Sequence, residues 1–117
     1  MPKDTEQQKT ARSAAMQEGL KKAIEVPLGT MRIAGSAWDM MAEISRIGNI
    51  ASRSDVEVGA RSLETGIWGA YKNVLINLPG IRDEAFKKEK LAEADAILKR
   101  SEQKCKECLD ILSNRKD

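Results

Sequence analysis

The chain has 117 residues, enough for one small domain, with an ordinary globular balance of 41% hydrophobic and 32% charged residues. The net charge of +2 is too small to indicate nucleic-acid binding, and aromatic residues, at 3%, are too few to form a stacking platform for single strands. The absence of histidine excludes a histidine general base, a Ser-His-Asp triad and a histidine metal site.

The N-terminal half of the chain predicts helix throughout. A first helix is expected from residue 5 to about 25, capped by Asp4 or Thr5 with a glutamine at the third helical position. Pro27 either kinks one long helix or occupies the first turn of a second. Residues 28–47 then predict a helix that is apolar over more than half its circumference and therefore covered on two sides.

The apolar residues of this second segment include Trp38, Met40 and Met41. They can be interpreted as a ligand pocket, but the pattern favours a core or an oligomer interface. With only three other helices to cover them, we expect the isolated chain to self-associate through these three side chains.

The central helix has clear predicted limits. Ser54 and Glu57 have the spacing of a capping box, which predicts a helix beginning at Asp55. Pro79 cannot continue a helix, so this helix should end near Asn77. After a turn at residues 77–80, Asp83 should begin a last helix that extends to about residue 112. With no strand pattern and no repeat, the sequence predicts an all-α fold of about four helices in an antiparallel bundle.

One face of the central helix is unusually small and polar. At helical spacing this face collects six residues: Asp55, Gly59, Ser62, Gly66, Gly69 and Asn73. Each glycine inside a helix costs roughly 0.5–1 kcal/mol relative to alanine, so the face should serve a purpose. It indicates close packing of another helix, or a ligand lying against bare backbone, and the two are compatible. Asp55 also lies at the N-terminus of the helix, where the helix dipole favours an ionised carboxylate. A simple capping role would explain an aspartate at this position equally well.

The two cysteines, Cys105 and Cys108, form a C-x-x-C pair. Such a pair can be a redox centre or half of a zinc site, but without histidine or a second ligand pair we expect core or partly exposed thiols and no metal. The N-terminus is polar where a signal peptide would be apolar, and charges interrupt every apolar run of ~18 residues, so we expect no membrane segment and a cytoplasmic location.

Three stretches together resemble one known family. They are MPKDTEQQKTARSAAMQEGLKKAIEVPL, GNIASRSD and GAYKNVLINLPGIRDEAF. They are similar to the cyclodeaminase domain of the formiminotransferase-cyclodeaminase family, a domain shared with bacterial methenyltetrahydrofolate cyclohydrolases. The resemblance covers roughly residues 1–90. It implies an all-helical, dimeric domain in folate one-carbon metabolism and histidine degradation. The implied lyase reaction converts 5-formimidoyltetrahydrofolate to 5,10-methenyltetrahydrofolate and ammonia.

The resemblance carries six residues over as substrate-binding candidates. They are Asn49, Ser54 and Asp55 from the second stretch, and Gly69, Asn73 and Asn77 from the third. The carboxylate proposed as catalytic in the family transfers to no position of this sequence, so the catalytic residue is unknown, and Asp55 is a candidate only from its place at the start of a helix. The implied substrate is a tetrahydrofolate derivative, with no tightly bound cofactor, and the implied partner is a further copy of the chain, in a dimer or higher oligomer.

The chain also departs from the family. There, MPKDT is internal and follows a glycine-rich segment and a helix with the proposed catalytic aspartate. We therefore expect residues 1–117 to be the C-terminal portion of the domain, without measurable cyclodeaminase activity alone. Cyclohydrolase chemistry remains an alternative, as does a non-catalytic helical module that binds a partner, and a fused formiminotransferase is left open.

Overall fold

The structure is a computed structural model that describes residues 5–117. Four α-helices account for most of this range: α1 (Glu6–Gly35), α2 (Trp38–Ile47), α3 (Arg53–Asn77) and α4 (Glu84–Asn114). Short 3₁₀ turns at Ile50–Ser52 and Leu78–Gly80 precede and follow α3. Residues 5–117 contain no β-strand, so the predicted all-α class is confirmed.

Several helix ends follow the sequence signals. Thr5 and Gln8 form a capping box, in which the Gln8 amide nitrogen donates to Thr5 Oγ1 (3.1 Å) and the Thr5 amide nitrogen to Gln8 Oε1 (2.8 Å). The alternative cap, Asp4, lies outside the described residues. Asp83 caps α4 by accepting a hydrogen bond from the Phe86 amide (3.0 Å). Helix α3 ends at Asn77, as Pro79 predicted.

The predicted continuous helix over residues 28–47 is wrong. Pro27 lies inside α1, which continues to Gly35, and the break comes at Ser36 and Ala37. There the Ser36 hydroxyl donates to the Ile33 carbonyl (2.6 Å), and Arg100 of α4 donates to the Gly35 carbonyl (3.0 Å). A side-chain bond and a distant guanidinium thus occupy carbonyls near the end of α1, which favours its ending there.

The predicted start of α3 at Asp55 is also wrong. The helix begins at Arg53, directly after the 3₁₀ turn, and its N-cap residue Ser52 makes no side-chain capping bond. Ser54 is therefore already helical, whereas a capping serine needs an extended backbone, so the Ser54–Glu57 box does not form. Asn49 caps the 3₁₀ turn instead, because its side chain accepts a hydrogen bond from the Ala51 amide (2.9 Å).

Contacts between the helices define an up-down-up bundle. Helix α3 runs antiparallel to α4, because Tyr71 contacts Asp95 (2.6 Å) while Ala60, earlier in α3, contacts Cys105 (3.6 Å), later in α4. Helix α1 runs parallel to α4, and α2 continues in the same direction beyond the break. The predicted antiparallel bundle therefore has three rods, and α1 followed by α2 makes up one of them.

The bundle is slender and has a narrow core. It measures 74 × 26 × 16 Å, and its radius of gyration of 20.0 Å exceeds the ~13 Å of a compact domain of this length. Its most completely buried large side chains are Ile24, Leu28, Met31, Trp38, Ile67, Val74, Cys108 and Leu112. Many apolar side chains stay outside this core, including Val26, Ile33, Met40, Ile44, Ile47, Val58, Trp68 and Ile76.

The expectation that the second segment is covered on two sides is therefore wrong. Trp38 is fully buried, Met40 is 69% exposed and Met41 is half-buried, so Trp38 cannot take part in self-association as expected. The break at residues 36 and 37 turns Trp38 into the core while Met40 and Ile47 stay on the surface.

Both cysteines are core residues, as the helical spacing indicated. Cys105 and Cys108 are buried, and the Cys105 thiol lies 3.6 Å from the Ala60 carbonyl. Burial raises the pKa of Cys105 to about 11 and raises that of Cys108 as well. In residues 5–117 no three Cys, Asp or Glu side chains are grouped so that they could hold a metal ion. No helix in the same range is long and apolar enough to span a membrane.

Candidate functional site

The C-terminal half of α3 faces an open groove that it forms with α1. The groove has a volume of about 670 Å³. From α1 it is lined by Ala23, Val26, Pro27 and Thr30, and from α3 by Gly66, Gly69, Ala70, Asn73 and Asn77. Three of the six substrate-binding candidates, Gly69, Asn73 and Asn77, therefore lie together in what we call the α1–α3 groove.

The two glycines of the groove are not packed against another helix. A Cβ atom built on Gly66 or on Gly69 would have no atom within 4 Å. The close-packing interpretation is therefore wrong at these two positions in the described chain. At Gly59 a built Cβ would lie 3.6 Å from Met41 Cε, which is ordinary van der Waals contact. The small stripe is thus packed near its start and open toward its end.

The polar groups of the groove come from side-chain amides and from backbone. The Asn77 side-chain nitrogen Nδ2 donates to the Asn73 backbone carbonyl (3.0 Å), and the Asn73 side chain makes no hydrogen bond within residues 5–117. Pro27 has no N–H, so the Ala23 carbonyl lacks the hydrogen bond that residue 27 would otherwise donate. Donors and acceptors therefore stand beside apolar wall atoms, an arrangement typical of sites for small molecules.

The groove has no ionisable lining residue. It can hold a neutral, flat group by contact and by hydrogen bonding, but it offers no carboxylate, thiol or amine for proton transfer. Its arrangement therefore favours binding over catalysis.

The other three candidates, Asn49, Ser54 and Asp55, lie at the opposite end of the stripe, a region we call the α3 start. Asp55 and Asn73 share one face of α3 but are about five turns apart, or roughly 27 Å. Ser54 and Asp55 are exposed, and neither side chain makes a hydrogen bond within the described residues. The structure therefore divides the predicted site into two separate surfaces of one helix.

Two contributions to these surfaces were not predicted from the sequence. Val26 and Thr30 form part of the α1 wall of the groove. The neighbouring Pro27, which is unusual inside a helix, was the one sequence feature that could have drawn attention to this part of α1. Arg115, after the end of α4, donates from Nη1 to the Gly48 carbonyl (2.8 Å) directly before Asn49. No local sequence pattern indicates that contact, since the two residues are distant in the chain.

Comparison with known proteins finds a matching family model and several relatives with named activities. The family model described as formiminotransferase-cyclodeaminase matches residues 1–96. A formimidoyltransferase-cyclodeaminase of Dictyostelium discoideum is 46% identical over 106 residues, which cover 91% of this chain and 20% of that protein. The Sus scrofa protein of the same name is 43% identical over 115 residues, which cover 98% of this chain and 21% of that protein.

A bacterial relative has a different name. The methenyltetrahydrofolate cyclohydrolase of Methylorubrum extorquens is 37% identical over 98 residues, which cover 84% of this chain and 47% of that protein. The chain thus spans about a fifth of the length of the two eukaryotic relatives and about half of the bacterial one. Since the family model matches most of the chain, this chain belongs to the formiminotransferase-cyclodeaminase family.

Proposed function

We propose that this chain serves folate-dependent one-carbon metabolism as part of a domain that binds a tetrahydrofolate derivative. The observation that carries the proposal is the α1–α3 groove, because it brings together Gly69, Asn73 and Asn77, three of the positions that the family resemblance implies for substrate binding. The relatives' names, cyclodeaminase and cyclohydrolase, support the same substrate class.

The groove suits the pterin end of such a substrate. Its volume of about 670 Å³ falls within the range of roughly 300–1,000 Å³ that is usual for small-molecule sites. A flat ring can approach the backbone at Gly66 and Gly69, where no side chain intervenes. The pterin edge carries both donors and acceptors, which the side-chain amides of Asn73 and Asn77 complement.

The α3 start suits the reacting group. A formimidoyl group is an amidine, a base that is cationic at neutral pH, and the exposed Asp55 carboxylate at the start of α3 is its natural partner. Asn49 precedes the 3₁₀ turn that leads into α3, and Ser54 lies in its first turn, so both add neutral polar groups to the same end of the helix. These residues would recognise the formimidoyl substrate over its neutral formyl analogue.

The proposed reaction is cyclodeamination. N10 of the folate attacks the carbon of the cationic formimidoyl group, so that the N10–C bond forms and the positive charge passes to N10. The N10 proton then moves to the former imino nitrogen, the bond from that nitrogen to carbon breaks, and ammonia leaves 5,10-methenyltetrahydrofolate. The Asp55 carboxylate is the candidate to accept the N10 proton and pass it to the leaving nitrogen. No atom changes oxidation state, so the step needs no redox cofactor.

The separation of the two surfaces bears on assembly. One substrate ring cannot contact Asn73 and Asp55 of the same chain, since they lie roughly 27 Å apart. We infer that the working protein is a homo-oligomer, a dimer or higher, in which the groove of one copy and the α3 start of another serve one substrate. In this proposal the protein is a cytoplasmic lyase of histidine degradation.

Calorimetric titration with 5-formyltetrahydrofolate, a stable probe, tests the groove. We expect Gly69→Leu to weaken binding at least tenfold, because the side chain would occupy the surface on which the ring lies. Gly19→Leu is the matched control, since Gly19 lies mid-helix, has no atom within 4 Å of a built Cβ, and is not in the groove. Equal affinities of the wild type and Gly69→Leu would remove the groove from the proposal.

A second titration tests the α3 start with 5-formimidoyltetrahydrofolate. The wild type should bind this cationic ligand more tightly than the formyl analogue, and Asp55→Asn should abolish the preference while binding of the formyl analogue is unchanged. A preference that survives Asp55→Asn would assign recognition of the amidine to other residues.

Cyclohydrolase activity is the second candidate, favoured by the name of the Methylorubrum extorquens relative. Loss of 5,10-methenyltetrahydrofolate without ammonia release would establish it. A non-catalytic helical module is the third, favoured by exposed Ile33, Met40, Ile44 and Ile47. It would be supported if the chain bound no folate but captured a helical partner through these side chains.

A further inference from the structure

Arg115, which directly follows α4, joins three elements near the α3 start. Its side chain is only 14% exposed, and Nη1 donates both to the Ser45 carbonyl (3.1 Å) and to the Gly48 carbonyl (2.8 Å). Its own carbonyl accepts a hydrogen bond from Arg53 Nη2 (3.2 Å). One residue thus connects the end of α2, the turn after it and the first residue of α3.

These contacts satisfy groups that the helix end leaves without partners. The last carbonyls of a helix have no intrahelical donor, and a cation is favoured there by the helix dipole. A guanidinium has several donors in fixed geometry, so it can bind two carbonyls and still pair with Asp117. Hydrogen bonds from a charged donor are stronger than those between neutral groups.

The Gly48 carbonyl belongs to the peptide unit that leads into Asn49. Asn49 in turn holds the 3₁₀ turn through the Ala51 amide, and that turn continues into α3 at Ser54 and Asp55. A rotation of the Gly48 peptide would therefore change the direction of all three candidate side chains. Arg115 restrains that rotation from outside the turn.

We propose that Arg115 is a positioning residue, whose bonds to the Ser45 and Gly48 carbonyls hold Asn49, Ser54 and Asp55 in the geometry that recognises an amidinium group. This role rests on the proposed function of the α3 start. Arg115 lies beyond residues 1–96, which the family model matches, so the match itself assigns it nothing.

Arg115→Gln and Arg115→Lys test the role, with Arg46→Gln as the matched control. Arg46 lies in α2 close to the same turn, but its ion pair is with Glu43 of its own helix. Each protein is titrated with 5-formimidoyltetrahydrofolate and with 5-formyltetrahydrofolate, and amide hydrogen exchange is followed at Ala51 and Ser52.

We expect Arg115→Gln to speed exchange at Ala51 and Ser52 about tenfold and to abolish the preference for the formimidoyl ligand, while affinity for the formyl ligand is unchanged. Lysine keeps the charge but has a single nitrogen in place of Nη1, which binds the two carbonyls, and Nε, which binds Asp117, so Arg115→Lys should lie between Arg115→Gln and the wild type. Arg46→Gln should behave as the wild type in both measurements.

The other outcomes overturn the proposal in distinguishable ways. Unchanged exchange at Ala51 and Ser52, or an unchanged ligand preference, would show that Arg115 positions nothing at this site. Equal weakening of both ligands by Arg115→Gln and by Arg115→Lys would show a general structural role. A wild type that binds neither ligand would overturn the proposed function itself, and a wild type without preference would overturn only the role of the α3 start.

Discussion

Replacing single glycines by alanine gives the sharpest test of which faces of the bundle are open. Gly19, Gly29, Gly66 and Gly69 all lie inside helices, and a Cβ built on any of them would have no atom within 4 Å. Alanine is favoured over glycine in a helix interior by roughly 0.5–1 kcal/mol. Each of the four substitutions should therefore raise the free energy of unfolding by about that amount. If another helix packed against Gly66, the alanine substitution there would instead lower the free energy of unfolding.

Gly48 supplies the contrasting case. A Cβ built there would lie 2.5 Å from the Ile44 carbonyl oxygen and 3.3 Å from Ile44 Cγ2. The oxygen belongs to the backbone of α2, so it cannot move aside as a flexible side chain can. It also accepts the hydrogen bond from the Gly48 amide (2.8 Å) that ends the helix. Overpacking of this kind costs typically 1–3 kcal/mol, so Gly48→Ala should destabilise the chain by about that much.

Urea denaturation followed by circular dichroism measures all five variants on one scale. The four stabilising variants should also raise the melting temperature by roughly 2–6 °C. Gly19 and Gly29 calibrate the gain that propensity alone provides. Loss of stability at Gly66 or Gly69, with gains at Gly19 and Gly29, would show that another surface covers the α1–α3 groove. Repeating the melts at tenfold lower protein concentration would then tell whether that surface is a second copy.

Three further predictions concern charge, thiols and association. A hydrogen bond from Arg32 holds the pKa of Glu93 below its ordinary value of 4.5, so the stability that this ion pair adds is complete above pH 4.5 and is lost as the pH falls through the lowered value. Glu93→Gln should therefore flatten the acid side of a pH–stability profile, and an unchanged slope would contradict this. The two thiols are buried and burial raises their pKa values, that of Cys105 to about 11, so neither Cys105 nor Cys108 should react with iodoacetamide at about pH 8 until the chain is unfolded in urea. Rapid labelling of the native chain would refute their placement in the core. Ile47→Lys should reduce self-association in sedimentation velocity, since Ile47 is 73% exposed, whereas equal association of both proteins would exclude this face.

The features predicted correctly from sequence are those that local chemistry controls. The Thr5 capping box, the Asp83 cap and the end of α3 before Pro79 each depend on residues within one or two turns. The wrong predictions involve longer-range contacts or competing turns. At the end of α1, Arg100 of α4 donates a hydrogen bond to the Gly35 carbonyl. At the start of α3, the helix follows a 3₁₀ turn that Asn49 caps.

The candidate site divides in the same way. Helical periodicity alone placed Gly66, Gly69 and Asn73 on one face of α3 with Asp55, because azimuth around a helix depends only on position in the segment. Which part of that face is covered depends on α1 and α2, whose residues are distant in the chain. The tertiary structure placed Met41 against Gly59 and left Gly66 and Gly69 open. The sequence was therefore sufficient to show which residues share this face of α3 and that they are small and polar. That the C-terminal end of the face borders a groove followed only from the packing of α1 against α3, because the contacts of a helix face depend on the neighbouring helices.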